Sequence, residues 1–419
     1  MKILFTSPYY EPATGFGGPV QSIGSMVAAV SAAGAETVVL ATDADGVLPR
    51  CVPRPGWEIR NGIKVHYARC RGLSKPSPVG RFFFAPGIAK QLINLVPDFD
   101  LLHLQGTWIF PTLAGSRIAL LLDKPYVLSV RGTLFPWALR QKSFKKRVYL
   151  DLIERKSLRG AARVHFTTML EARSAKETFP DLPSVIVPNP VTTDPVNADP
   201  SSFRKKLGIP DAAPLVVFLG RIHIVKGLEL LVEAASEVVK EMPGAVFALV
   251  GDDEGGYAAG IRDMIGKRGL ERTVILPGPV RGEEKWSVFS AADVFVLPSH
   301  QENFGMSAAE AMACGVPVVT SHLVGIAEDI SEAGAGLVVE RTTESFVRGI
   351  LSLLRDAAIR LRMGCAGRGL VARKYSPEVV ARSMLKLYMD VIEEHTKKPI
   401  SRKARVFCSA FGRHQQARS

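Results

Sequence analysis

A chain of 419 residues exceeds one compact domain of ordinary size; at roughly 100–200 residues per domain it predicts two or three. Hydrophobic residues make up 47% and charged residues 22%, with 37 Gly and 28 Pro spread along the chain, which describes a folded protein with a large core and excludes general disorder, collagen and a small stapled scaffold. The formal charge of +13 favours polyanions, anionic lipid or phosphorylated small molecules as partners without choosing among them, and the five scattered cysteines have neither a disulfide framework nor a zinc-ligand spacing, which fits a reducing compartment.

Met1 and Lys2 lead straight into ILFTSPYY, with no apolar stretch of signal-peptide length, and no 18-residue apolar run follows. A cytoplasmic location is expected, with peripheral contact at the cytoplasmic face of the inner membrane as its extension. Lys2–Ser7 reads as a strand ending in the loop PYYEPATGFGGP, Val20–Ala33 as a helix and Glu36–Ala41 as a strand, the order that opens an α/β layer fold. Further strands are expected at Ile63–Tyr67, Leu101–Leu104, Tyr126–Ser129, Val164–Thr167 and Ser184–Val187; these short apolar runs do not alternate, which predicts mostly parallel pairing. At PNPVTTDPVNADP, residues 188–200, packing residues give way to Pro, Asn, Asp and Thr, so a first domain is assigned to residues 1–190.

A second series fills residues 191–375. Strands are expected at Leu215–Leu219, Val246–Val250, Val274–Leu276, Val294–Leu297 and Val318–Thr320, with helices at Leu228–Glu241, Tyr257–Lys267, Glu284–Ala291, Ser307–Ala313 and Thr343–Arg355. Ser376-Pro377-Glu378 has the chemistry of a helix start, and residues 376–395 carry apolar positions at helical spacing for packing back toward the first domain. The basic tail 396–419 reads either as disordered or as a weak contact for an anionic surface.

In SHQENFGMSAAEAMACGVPVV, residues 299–319, Glu302 lies in a loop and Glu310 eight positions later on the following helix. A helix starting near Gly305 leaves N–H groups for phosphate or sugar oxygens, and carboxylates beside it suit neutral hydroxyls of sugar and ribose. Taken singly, each acid is equally a cap or a surface charge. In GRIHIVKG, residues 220–227, Arg221 and Lys226 stand where a diphosphate would be neutralised, or are solvated loop cations; Gly251 follows another strand and would permit close ligand approach.

In the first half, Gly17 and Gly18 of GFGG precede a helix, as phosphate-binding amides or as a flexible entry loop. His103 in LLHLQGTW is a polar contact or proton carrier at a strand end, or a satisfied core histidine. Gln105, Trp108, Arg131 and Trp137 extend the polar strand-end loops, the tryptophans either stacking on a sugar face or packing. Residues 140–163 carry nine basic and two acidic residues among Phe144, Val148, Tyr149, Leu152 and Ile153, an amphipathic region that is a solvated helix face or a dock for anionic lipid or a lipid-diphosphate acceptor. No nucleic-acid module accompanies the charge.

Taken in order, GFGG, HLQG, Arg131, VPNPV, GRIHIVKG, LVGDDEGG, ADVFVLPSHQENFGMSAAEAMACGVPVV and AGAGLVV resemble the nucleotide-sugar-dependent glycosyltransferases of group 1, the retaining family 4, over nearly all of the chain before the basic tail. The resemblance implies a GT-B fold, two Rossmann-like α/β domains facing each other across a deep cleft, the first taking the acceptor and the second the nucleotide sugar. It implies that Arg221 and Lys226 neutralise the donor diphosphate, Glu302 faces the transferred sugar, and Glu310 holds ribose hydroxyls. Asn303, Phe304, Gly305 and Met306 would place backbone groups at sugar and phosphate, with Gly17, Gly18 and Gly251 also on the donor side; His103 would be a catalytic contact, and Gln105, Trp108, Arg131 and Trp137 would lie toward the acceptor. Neither a metal nor a cofactor beyond the nucleoside diphosphate sugar is expected. Gln105 stands where many members have a second histidine, and Asn189-Pro190 where Asn-Gly is frequent. The expected reaction is retaining transfer from a UDP- or GDP-sugar to a hydroxyl of a glycan or lipid-linked acceptor in cell-surface polysaccharide or glycolipid synthesis. The alternatives are a sugar-phosphate synthase or phosphorylase-like enzyme of the same fold, and a non-catalytic nucleotide-sugar- or polyanion-binding protein.

Overall fold

A computed structural model describes residues 1–13, 15–46, 50–52, 54–73, 78–135, 153–193 and 198–398. Trp137, most of the basic region 140–163 and all but the start of the basic tail lie outside the described residues. The chain forms two compact units: Met1–Pro190 together with the chain from Pro377 onward, and Val191–Ser376.

The first unit is built on an eight-stranded sheet of β1 (Lys2–Ser7), β2 (Glu36–Thr42), β3 (Gly56–Arg60), β4 (Ile63–Ala68), β5 (Leu101–Gln105), β6 (Tyr126–Ser129), β7 (Arg163–Phe166) and β8 (Ser184–Ile186), in the order β3-β4-β2-β1-β5-β6-β7-β8. Every pairing is parallel except β3 with β4. The strand β3 was not expected from sequence. Its alternating burial, with Trp57 and Ile59 exposed, belongs to a half-covered antiparallel edge rather than to a buried parallel strand.

Helices cover both faces of this sheet, as parallel pairing requires. Helix Pro377–Thr396 packs on helix Gly18–Ala32. Its buried residues Val380, Met384, Leu387, Tyr388 and Val391 recur at three- and four-residue intervals and join Ile3, Phe5, Ile23, Val27 and Val127 in one core. Each large apolar side chain so buried contributes about 1.5–3 kcal/mol, which ties a segment remote in sequence to the first unit.

The second unit holds β9 (Leu215–Leu219), β10 (Val246–Val250), β11 (Val274–Gly278), β12 (Val294–Leu297), β13 (Val318–Ser321) and β14 (Gly336–Val339), all parallel in the order β11-β10-β9-β12-β13-β14. Runs such as LVVFL, VFALV and VFVL are almost wholly buried, as strands covered on both faces must be. This is the doubly wound Rossmann-type order, in which the chain runs outward from β9 in one direction and from β12 in the other. The loops leaving β9 and β12 therefore diverge at the switch point, where ligands of such sheets bind.

Candidate donor site at the switch point of the second sheet

The loop after β9 closes with a short 3-10 turn, Ile224–Lys226, capped by His223, whose Nδ1 accepts the Val225 N–H at 3.2 Å. The loop after β12 runs beside it: the His300 N–H donates to the Val225 carbonyl at 2.8 Å. Arg341 braces the loop after β12, its Nε donating to the Pro298 carbonyl at 3.0 Å and its Nη2 lying 2.9 Å from His300 Nε2. Between them sits Gly227 at φ 64°, where a Cβ would fall 2.5 Å from Arg341 Nη2 and 2.6 Å from the Pro298 oxygen. The glycine is thus required twice, by its backbone and by its neighbours.

This register brings Lys226 Nζ into an ion pair with Glu302 Oε2, the side chains only 15% and 21% exposed. Ser299 Oγ stands 3.4 Å from the same oxygen. The Glu302 backbone is pinned in turn: its N–H donates to the Leu323 carbonyl at 3.0 Å and its carbonyl accepts the Gly325 N–H at 3.0 Å. Partly buried and held on rigid backbone, the pair loses less to solvent screening than a surface ion pair does.

Helix Met306–Ala313 begins directly behind Glu302. Its first N–H groups receive no side-chain cap, and Gly305, at φ 101°, lets the chain turn into it. A short helix start with uncapped amides, next to a lysine, presents partial and full positive charge to an oxygen-rich ligand. Glu310, within this helix and 4% exposed, pairs with Lys285 at 2.7 Å, and the Lys285 ammonium also lies 4.5 Å from the centre of the Trp286 ring. Each acid of the Glu302–Glu310 pattern therefore faces a lysine that the sequence motif does not contain. Phe304 is 3% exposed and packs edge-on against Tyr375 with ring centres 5.3 Å apart, so only its backbone is available to a ligand. Asn303 lies in the same loop and Met306 opens the helix.

Arg221 is exposed at the start of the β9 loop and donates to Glu254 at 2.5 Å. Gly251 has a packing reason for being glycine: a Cβ there would lie 1.7 Å from the Gly220 carbonyl, so it permits close approach of the neighbouring strand end.

The first unit corrects several further expectations. His103 is not at the strand end but two residues inside β5, fully buried, with Nδ1 2.6 Å from the Tyr388 hydroxyl and Nε2 2.6 Å from Ser129 Oγ. Burial, with His165 and Arg131 nearby, holds its imidazole well below the ordinary histidine range. It is a neutral core histidine rather than a catalytic contact. Gln105, 1% exposed, turns inward to accept Arg131 Nε at 2.9 Å, and Arg131 Nη1 donates to Ser22 Oγ at 3.1 Å and Asn189 Oδ1 at 2.9 Å. Arg131 thus ties β5, helix Gly18–Ala32 and the chain after β8 together instead of standing open to an acceptor. Trp108 packs half-buried against the core under β5, its backbone N–H donating to Glu154 Oε2 at 3.2 Å. Asp43 and Asp45, just past β2, are structural too: Asp43 is wholly buried between Arg50 and Arg69, and Asp45 accepts the Gly15 N–H at 2.7 Å. Gly17, at φ 62°, precedes helix Gly18–Ala32, whose first turn has no side-chain cap.

The glycosyl transferase 4-like domain family matches residues 17–190, and the group 1 glycosyl transferase family matches residues 199–370. The chain belongs to the group 1 glycosyltransferases. A D-inositol 3-phosphate glycosyltransferase of Kineococcus radiotolerans is 27% identical to this transferase over 93% of the chain and 94% of its own length. The sucrose-phosphate synthase of Thermosynechococcus elongatus superposes with a TM-score of 0.78 at 21% identity, covering 94% of this chain and 99% of that one. Anabaena HepE, solved in complex with UDP and glucose, gives 0.72 at 20% identity over 93% and 100%. At these identities the two structures establish the shared GT-B fold of this transferase.

Lys285, Arg341, Ser299 and His300 are the site residues that sequence reading passed over. Lys285 and Arg341 lie outside the recognisable motifs and reach it only through folding. Ser299 and His300 belong to the stretch containing Glu302, yet nothing in their spacing distinguishes them from loop residues. Among the described residues no cluster of three or more His, Cys, Asp or Glu is placed to hold a metal, and no helix is long and apolar enough to cross a membrane.

Proposed function

We propose that this glycosyltransferase moves a hexose-like sugar from a UDP- or GDP-sugar to a hydroxyl of a glycan or lipid-linked acceptor, with net retention at the anomeric carbon. The observation that carries the reading is the Lys226–Glu302 pair at the switch point of the second sheet, directly before the uncapped start of helix Met306–Ala313. Lys226, helped by Arg221, takes the donor diphosphate, and the Met306 and Ser307 amides add fixed dipoles. Negative charge that grows on the leaving diphosphate then meets positive charge already in position. Glu302, turned from Lys226 toward the transferred sugar, and Glu310, turned from Lys285 toward ribose, accept hydroxyl hydrogens with charge assistance. Departure and attack on the same face, assisted by the leaving phosphate, account for retention; a glycosyl group covalently trapped on Glu302 and mapped by mass spectrometry would overturn that step. UDP in HepE and inositol phosphate in the name of the Kineococcus relative support a nucleoside diphosphate donor and a polyhydroxylated acceptor.

The test is a panel of UDP-, GDP- and ADP-sugars read by thermal stabilisation and by release of nucleoside diphosphate, with EDTA and then with magnesium. One donor is expected to stabilise the protein and release its diphosphate slowly in EDTA. Lys226→Ala is expected to lower kcat by on the order of 100-fold, the size of one lost preorganised contact to the developing charge. Consumption of free phosphate in place of nucleoside diphosphate release would indicate a phosphorylase-like enzyme, and donor stabilisation without turnover on any acceptor would indicate a binding protein.

A further inference from the structure

With Gln105 and Arg131 turned inward, the acceptor side of the first unit requires another surface. We infer that Tyr9, Phe16 and Phe83 form an aromatic platform that binds the ring of a sugar, which the transferase reading, on which this role rests, makes the acceptor. The three side chains come from two loops: Tyr9 and Phe16 from the loop between β1 and helix Gly18–Ala32, and Phe83 from the crossover after β4. Tyr9 and Phe16 stack with ring centres 4.5 Å apart and planes at 22°, and Phe83 meets the two at 6.0 and 5.7 Å with planes at 72° and 56°. All three are half-buried, and neither Phe16 nor Phe83 belongs to any hydrophobic core of the unit. Gathered outside the core, the half-buried rings keep part of their apolar area available to a ligand.

After helix Pro78–Arg81 the Phe83 N–H donates to the Gly80 carbonyl at 3.0 Å and the Phe84 N–H to the Val79 carbonyl at 3.3 Å, a helix-ending turn that fixes where the Phe83 ring stands. Phe83 adopts φ 52°, a left-handed conformation that bulky residues avoid. Trp108 at φ 64° and Arg131 at φ 54° do the same in the loops after β5 and β6. The loops are cross-tied, Gly15 N–H to Asp45 Oδ1 at 2.7 Å and Phe110 N–H to the Phe82 carbonyl at 2.8 Å. Strained conformations that surroundings over-determine cluster at ligand sites. These lie at the carboxyl ends of the strands, and β1 and β5 bound the switch point of this sheet.

The chemistry around the rings selects a sugar over a lipid tail. The C–H face of a pyranose complements the negative face of an aromatic ring. Beside the rings stand the backbone amides of the glycine loop and the Tyr9 hydroxyl, whereas an acyl chain requires a continuous apolar groove.

Saturation-transfer NMR on the full chain with UDP and GDP present tests this, using the methyl α-pyranosides of glucose, galactose and mannose, and 1-octanol as the apolar probe. Ring C–H protons of at least one glycoside are expected to receive saturation from the wild type, and roughly three- to tenfold less from Phe83→Ala and Phe16→Leu. Phe16→Leu keeps apolar volume while removing the ring face, and its melting curve shows whether the fold is intact. Silence of all three glycosides with the wild type overturns the inference, as do signals that survive both substitutions or an octanol signal alone that depends on the rings. Nucleotide-induced stabilisation in the same samples is a separate readout: its absence defeats the donor reading, whatever the glycosides show.

Discussion

At Gly251 the strand ends of β9 and β10 come so close that the Gly220 carbonyl occupies the place of a Cβ. Replacing Gly251 by Ala forces the β9 exit to move, and the loop it displaces carries Arg221 and Lys226. The expected cost is about 3 kcal/mol or more, read from urea unfolding, together with weaker nucleotide-induced stabilisation. A loss under about 1 kcal/mol would mean that the strand ends yield easily. The spacing of Glu302 and Glu310 is legible in the sequence because both acids belong to one loop-helix passage. Their lysines are not, since Lys226 lies 76 positions and Lys285 25 positions away along the chain. Nothing in a linear pattern reports which cation a fold will bring to a carboxylate.

Individual elements divide by how local their causes are. Tyr126–Ser129, Leu215–Leu219, Val246–Val250 and Val294–Leu297 are apolar runs whose bounds agree with the strands found. Helix Ala357–Leu370 was missed because its glycines argue against a helix. They are there for packing: a Cβ at Gly364 would lie 2.0 Å from the Gly315 carbonyl and one at Gly367 3.1 Å from Met312. His103 was misplaced because β5 continues to Gln105, and because Tyr388, its partner, is 285 residues away. The helix start at Arg155 yields a pH prediction. Burial pushes the carboxyl of the preceding Glu154 from 4.5 up to about 7, and its Oε1 has no hydrogen-bond partner. Between these pH values the folded state holds the proton more tightly than the unfolded state. This contribution is present at low pH and is lost as pH rises through about 7. His165 acts oppositely, since burial lowers its imidazole from 6.5 to about 4, so its contribution is lost as pH falls through that window. The two largely offset each other in the wild type. Glu154→Gln removes one of them, and its stability relative to wild type is expected to rise by up to about 3 kcal/mol from pH 4.5 to 8. Parallel wild-type and variant profiles in denaturant titrations would contradict this.

For the molecule as a whole, the first unit is discontinuous: its sheet is complete by Pro190, but the helix that closes one face begins at Pro377. Ending the chain after Ser376 removes Val380, Met384, Leu387, Tyr388 and Val391 from that core and leaves His103 without Tyr388. Hydrogen exchange is expected to show lost protection in β1 and β5 while β9 and β12 keep theirs. Equal loss in both sheets would mean that the units do not stand separately. Synthesis on the ribosome meets the same arrangement in time. Between Pro190 and Tyr388 the second unit must be translated, which at about 5–20 residues per second takes roughly 10–40 s. Through that interval the earlier-made sheet waits without the helix that completes one of its faces, and by its end the later-made sheet has all its strands. The order of maturation is therefore the reverse of the order of synthesis, and a nascent chain stalled near its end is where chaperone dependence should concentrate.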